Sequence, residues 1–242
     1  VGGTVAVSVL NAGTSAVIDG SASVVHAGSI AVTADSSHTL LTSARAAAGG
    51  ASQRGTSSSQ TERTLADNRD QASTADGGVE FAAAVAVAVV RTAAQALIAS
   101  TGTVNTSGAL SVSSQARNQS GVIADGSSTD GGIGIGAAVG INVGVISNQA
   151  QLADNTRVTG HGVSVRAVTP AGLGNAFSTE AKSDAGAANV SVAGALAVNV
   201  LSNRTAATLQ GDLDASGAGT TVNADGVDLL LEARNASSST VK

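Results

Sequence analysis

Four stretches of this chain alternate large and small side chains with a period of two. They are residues 4–11 (TVAVSVLN), 84–91 (AVAVAVVR), 140–147 (GINVGVIS) and 195–202 (ALAVNVLS). Such a period is the mark of a β-strand, whose successive side chains leave on opposite faces. With Val9, Val89, Val145 and Val200 taken as equivalent, the copies lie 80, 56 and 55 residues apart. The repeat unit is thus about 55 residues, and the first copy carries an insertion of about 25, placed at 49–78.

The columns of this alignment carry physical content. Two residues before the anchor stand Val7, Val87, Val143 and Val198, and four before stand Val5, Val85, Ile141 and Leu196. The columns between them hold Ser8, Ala88, Gly144 and Asn199, and Ala6, Ala86, Asn142 and Ala197. The expectation is that the Val/Ile/Leu face points into a core and that the small face packs on a neighbouring sheet of the same chain, the alternative being an intermolecular surface that joins rods into fibres. Leu10, Val90, Ile146 and Leu201 follow the anchors and break the alternation, which predicts a corner or bulge. Each unit then continues, after a Gly-containing turn, into a second strand: 30–34 (IAVTA), 110–113 (LSVS), 163–167 (VSVRA) and 227–231 (VDLLL).

A repeat of short strands and turns cannot bury its own apolar face, so stacking must supply the core. The predicted class is all-β, a parallel β-helix (β-solenoid) built from repeats of about 55 residues over 1–242. Two coils of about 27 residues per unit, or three of about 18, fit equally well. About ten coils would make a rod of roughly 50 Å. The insertion at 49–78 is polar; Ser59 and Glu62 have capping-box spacing that would allow a short helix over 63–71, and the segment is expected to be a surface loop, with a ligand-contacting excursion from a rigid scaffold as the alternative.

Composition narrows function. The chain has no Cys, Met, Trp or Tyr, two Phe, three His and a net charge of −5. Disulfides, thiol chemistry and Cys/His zinc sites are excluded. Nucleic-acid binding is not expected without basic patches and stacking aromatics. The longest apolar run, residues 81–90, is too short for a membrane helix. Two Phe cannot build the aromatic girdles of a membrane barrel, so no membrane insertion is expected. The missing initiator Met suggests a segment of something longer, and the missing Cys suits export.

Candidate chemistry is sparse. His26, His38 and His161 form no triad pattern and are expected in exposed turns. Asp212, Asp214, Asp225 and Asp228 cluster near the C-terminal end, and Asp125 and Asp130 flank a Ser/Thr turn. Such pairs would suit glycoside cleavage, but the sugar-stacking aromatics are missing. Asn223, Asp225 and Asp228 offer oxygen ligands for Ca²⁺ without matching an EF-hand loop. The run 131–136 (GGIGIG) lacks dinucleotide-loop spacing and reads as the small face of a strand. No catalytic, cofactor-binding or metal residue is assigned, and no enzyme is expected.

The AVNV strand at 197–200, the turn with Asn203 and Thr205, and the strand at 162–167 (GVSVRA) resemble the repeats of large secreted bacterial surface proteins. These are the filamentous-haemagglutinin-like and autotransporter-passenger adhesins. The resemblance implies a right-handed parallel β-helix, export, and a place on the cell surface. It brings no catalytic residues. The expected role is a rigid structural or adhesive stalk in an extracellular surface protein. Its partners would be a host or cell-surface ligand, or copies of itself. A self-assembling filament subunit and a polysaccharide-active β-helix enzyme are the alternatives.

Overall fold

The computed structural model describes residues 1–21, 24–48, 79–128, 132–187, 189–210 and 221–242. Among these residues the regular elements are all strands, in three parallel sheets. Numbered along the chain, a front sheet runs β1 (Gly2–Gly20), β4 (Val79–Ser100), β7 (Ile133–Leu152) and β11 (Val190–Leu209). An end sheet holds the short strands β2 (Val24–Ala27), β5 (Thr103–Thr106), β8 (Arg157–Thr159) and β12 (Thr221–Asn223). A back sheet holds β3 (Ile30–Ala48), β6 (Leu110–Ser128), β9 (Val163–Val168), β10 (Asn175–Lys182), β13 (Leu229–Arg234) and β14 (Ser237–Val241).

β9 and β10 lie end to end along β6, against residues 110–115 and 119–125. The chain leaves the ladder between them at Pro170, which has no N–H to donate. Leu173 N closes a turn on Pro170 O, with Gly172 at φ +73°. The insertion at 49–78, with its capping box and short helix, lies outside the described residues.

Each repeat therefore adds one tier to each sheet, in chain order. A unit is neither two coils nor three; it passes once through front, end and back sheets. The reason is strand length. Front strands of 19 to 22 residues use up the unit that shorter coils would have divided. Four tiers make a stack of about 19 Å rather than 50 Å.

Register differs from the sequence alignment in two copies. Val9 pairs with Val89, Val89 with Val143, and Val143 with Val200. Val145 instead stands beside Arg91 and Ser202. A slip of two residues keeps every side chain on its face, so alternation alone could not detect it. The second strands of the first three copies align as expected, Ile30 with Leu110 and Leu110 with Val163. In the last copy the strand begins at Leu229, paired with Val163. Residues 224–227 are used by a turn in which Asp225 and Gly226 have φ of 51° and 74°.

The faces are the reverse of expectation. Ala82, Ala84, Ala86 and Ala88 are buried, whereas Val5, Val7 and Val9 are 71%, 63% and 69% exposed. Close approach of the back sheet is the cause. A Cβ at Gly126 would lie 1.8 Å from Ala137 O, and one at Gly136 would lie 2.6 Å from Gly126 O. Only Gly and Ala fit such a gap, so the large residues must turn outward. The small face does pack on a neighbouring sheet, as its composition suggested.

The interior is a wedge. At its wide end, closed by the end sheet, Ile98, Leu110, Leu152, Val104 and Val158 are fully buried. At its thin end the core is mainly Ala from both sheets. Between them sits Phe177, in a cluster with Val90, Ala116 and Ile146. No corner follows the anchors: β4 and β7 pair without a register shift through Val90 and Ile146. The pattern changes there because the interior widens, and inner positions pass from Ala to Val and Ile. A Cβ at Gly144 would lie 2.5 Å from the Phe177 ring, so that glycine makes room for the aromatic.

Candidate functional site

Asparagines on the inner face of the front sheet reach across the interior. Asn142 Nδ2 donates to Ser120 O and Ser178 O at 3.1 and 3.2 Å, while Asn142 Oδ1 accepts from Ser120 Oγ at 2.8 Å. Asn148 Nδ2 donates to Val168 O at 3.1 Å, and its Oδ1 accepts from Ser114 Oγ. Asn199 Nδ2 donates to Phe177 O at 3.1 Å and to Thr240 O at 2.8 Å, and its Oδ1 accepts from Thr179 Oγ1. Asn142 and Asn148 are fully buried, so these bonds sit in a low-dielectric seam where orphaned partners are costly. The sequence signal was present as Asn in otherwise small columns, but it did not reveal that a second sheet lay within reach.

The sequence candidates do not converge. His161 lies in an exposed turn as expected, with Nδ1 3.6 Å from Asp225 Oδ2. Both side chains are mostly solvated. Asn223 Oδ1 accepts from Asp225 N at 2.9 Å, so that oxygen shapes the turn. Asp228 contributes its backbone oxygen to Val163 N. His38 is not in a turn. It lies within β3, in register with Asn118, and its Nε2 is buried without a partner among the described residues. His26 lies in β2 rather than a turn. Asp130, Asp212 and Asp214 lie outside the described residues.

Asp125 lies on β6 with Arg45 and Lys182 as its in-register neighbours on either side. Opposite charges on adjacent strands are a cross-strand pairing pattern. The Lys182 ammonium is held above its ordinary range by its hydrogen bond to Asp184, 3.2 Å away, then by the charges of Asp184, Asp125 and Glu180. Arg166 Nε meets Glu232 Oε2 at 2.8 Å on the same sheet. Gly134 and Gly136 face inward on β7, which places the glycine run on the small face. Among the described residues, no group of three or more His, Cys, Asp and Glu is placed to hold a metal ion.

Two outer surfaces remain. On the back sheet, a shallow recess of about 330 Å³ opens over Gly121, between Leu41 and Ser178. Among the described residues Glu180 is the one acidic side chain lining it, whereas glycoside cleavage needs two positioned carboxylates.

The outer face of the front sheet is the more distinctive surface. Its half toward the start of β4 bears six successive cross-strand rows of outward side chains. The rows run from Val79, Ile133 and Val190 to Val9, Val89, Val143 and Val200. Every outward residue in them is Val, Ile, Leu, Phe, Ala or Gly. The next row, with Asn11, Arg91, Val145 and Ser202, begins a polar half.

No protein-family model matches the chain, and neither the curated proteins nor the solved structures contain a match.

Proposed function

We propose that the chain is a rigid β-solenoid segment of a bacterial extracellular surface protein, a structural or adhesive stalk. One observation carries the reading: strands of successive repeats pair in parallel, in chain order, along ladders of up to 20 residues. Such stacking resists extension through many backbone hydrogen bonds at once and uses no chemically active side chain. The mechanism is mechanical. Ladders and an Ala/Gly-thin interior hold the slab, and its turns present whatever contacts a ligand.

A second feature supports stacking of further tiers. Leu229 and Leu231 align with the fully buried Val163 and Val165, yet are 44% and 49% exposed. The tier that holds them thus presents apolar side chains of the kind that an adjacent tier covers.

Antibody labelling of intact, unpermeabilised source cells tests the location. Labelling that needs permeabilisation would refute a surface stalk. Small-angle scattering of the monomer, at concentrations too low for association, should give a largest dimension near 70 Å, set by strands of about 20 residues at ~3.3 Å each. Turnover of an acidic polysaccharide that is lost on Asp225→Asn or Asp228→Asn would instead favour the enzyme alternative.

A further inference from the structure

The apolar half of the front sheet's outer face is too large and too uniform for a surface left in water. Six rows, about 6.7 Å apart, on four strands about 4.8 Å apart cover roughly 700 Å². Contiguous exposed apolar patches of that size mark interaction sites. We infer that this face is the two-fold interface of a dimer, covered by the same face of a second copy. This goes beyond the stalk reading and does not depend on it.

Three observations select a second copy. The first is area: a pair would bury roughly 1,400 Å², within the range of specific stable interfaces. The second is charge: among the described residues no charged side chain lies in the field, so two identical faces meet without like-charge repulsion.

The third is shape. The third row is a shallow groove of Gly3, Ala83, Ala137 and Gly194. The fourth is a ridge of Val5, Val85, Val139 and Leu196. An isologous interface must be complementary to itself. A two-fold axis in the interface plane, perpendicular to the strands and between these rows, lays each copy's ridge in the other's groove. It also sets β1 over β1 and β4 over β4, as in face-packed sheets. A lipid surface would have no use for the groove.

Sedimentation velocity of the purified chain from about 1 to 100 μM reads the association. Val87→Lys, on the outer face of β4, should weaken the dimer at least about 30-fold, while circular dichroism and melting at concentrations where both proteins are monomeric stay unchanged. Ala83→Leu fills the groove and adds apolar area. It should weaken a ridge-in-groove dimer but strengthen binding to lipid or indiscriminate hydrophobic association. Should Val87→Lys not fold, Ala83→Leu and Gly194→Leu decide; a Cβ at Gly194 meets nothing within 4 Å.

A concentration-dependent dimer weakened by both substitutions supports the inference. Four results overturn it: a monomer at every concentration, an open series of oligomers insensitive to Val87→Lys (end-to-end stacking), tighter association of Ala83→Leu, or a monomer that co-sediments with neutral phosphatidylcholine vesicles.

Discussion

Ala86→Leu and Val7→Thr, compared at low micromolar protein, test which face of the front sheet is inside. Ala86 is fully buried, and a Cβ added at its register partner Gly140 would lie only 2.8 Å from Thr179 Cγ2 of the back sheet. Three added carbons there must push the sheets apart, at a cost of about 3 kcal/mol or more. Val7 is 63% exposed, so it keeps about a third of a buried valine's ~1.5–3 kcal/mol. Threonine keeps the β-branch and strand propensity, so Val7→Thr should cost under about 1 kcal/mol. At ~2–4 °C per kcal/mol, Ala86→Leu should lower the melting temperature by roughly 6–12 °C and Val7→Thr by about 4 °C at most. Thermal melts followed by circular dichroism read both. A larger fall for Val7→Thr than for Ala86→Leu would refute the orientation and the wedge argument built on it.

Gly126→Ala should be among the most damaging single-methyl changes, about 3 kcal/mol or insoluble expression, while Gly13→Ala, with nothing within 4 Å, should be near neutral by denaturant midpoint. Asn142→Ala removes the bridge to Ser120 and Ser178 and strands buried acceptors, so urea unfolding should lose about 2–3 kcal/mol. Arg166→Ala breaks a partly solvated pair with Glu232 and should change stability by less than about 1 kcal/mol, with the difference shrinking in 1 M salt.

The alternation of small and large residues determined the strands, and the recurrence of the unit determined their parallel stacking. Both are local or periodic facts that a single chain carries in its own order. The sequence also showed that one face was small, and a face of Ala and Gly suits close sheet approach. Three things were decided only by tertiary contact. Parity alone cannot say which face turns inward; the 1.8 Å from a Gly126 Cβ to Ala137 O decided that. Register came out two residues from the alignment at Val143 and Leu229, because a two-residue slip leaves the face pattern unchanged. The reach of Asn142, Asn148 and Asn199 into the back sheet depended on a distance between sheets that no one-dimensional pattern encodes. The exposed valine field follows from the same cause. Once the thin interior admits only small side chains, the large ones have nowhere to go but the outer face.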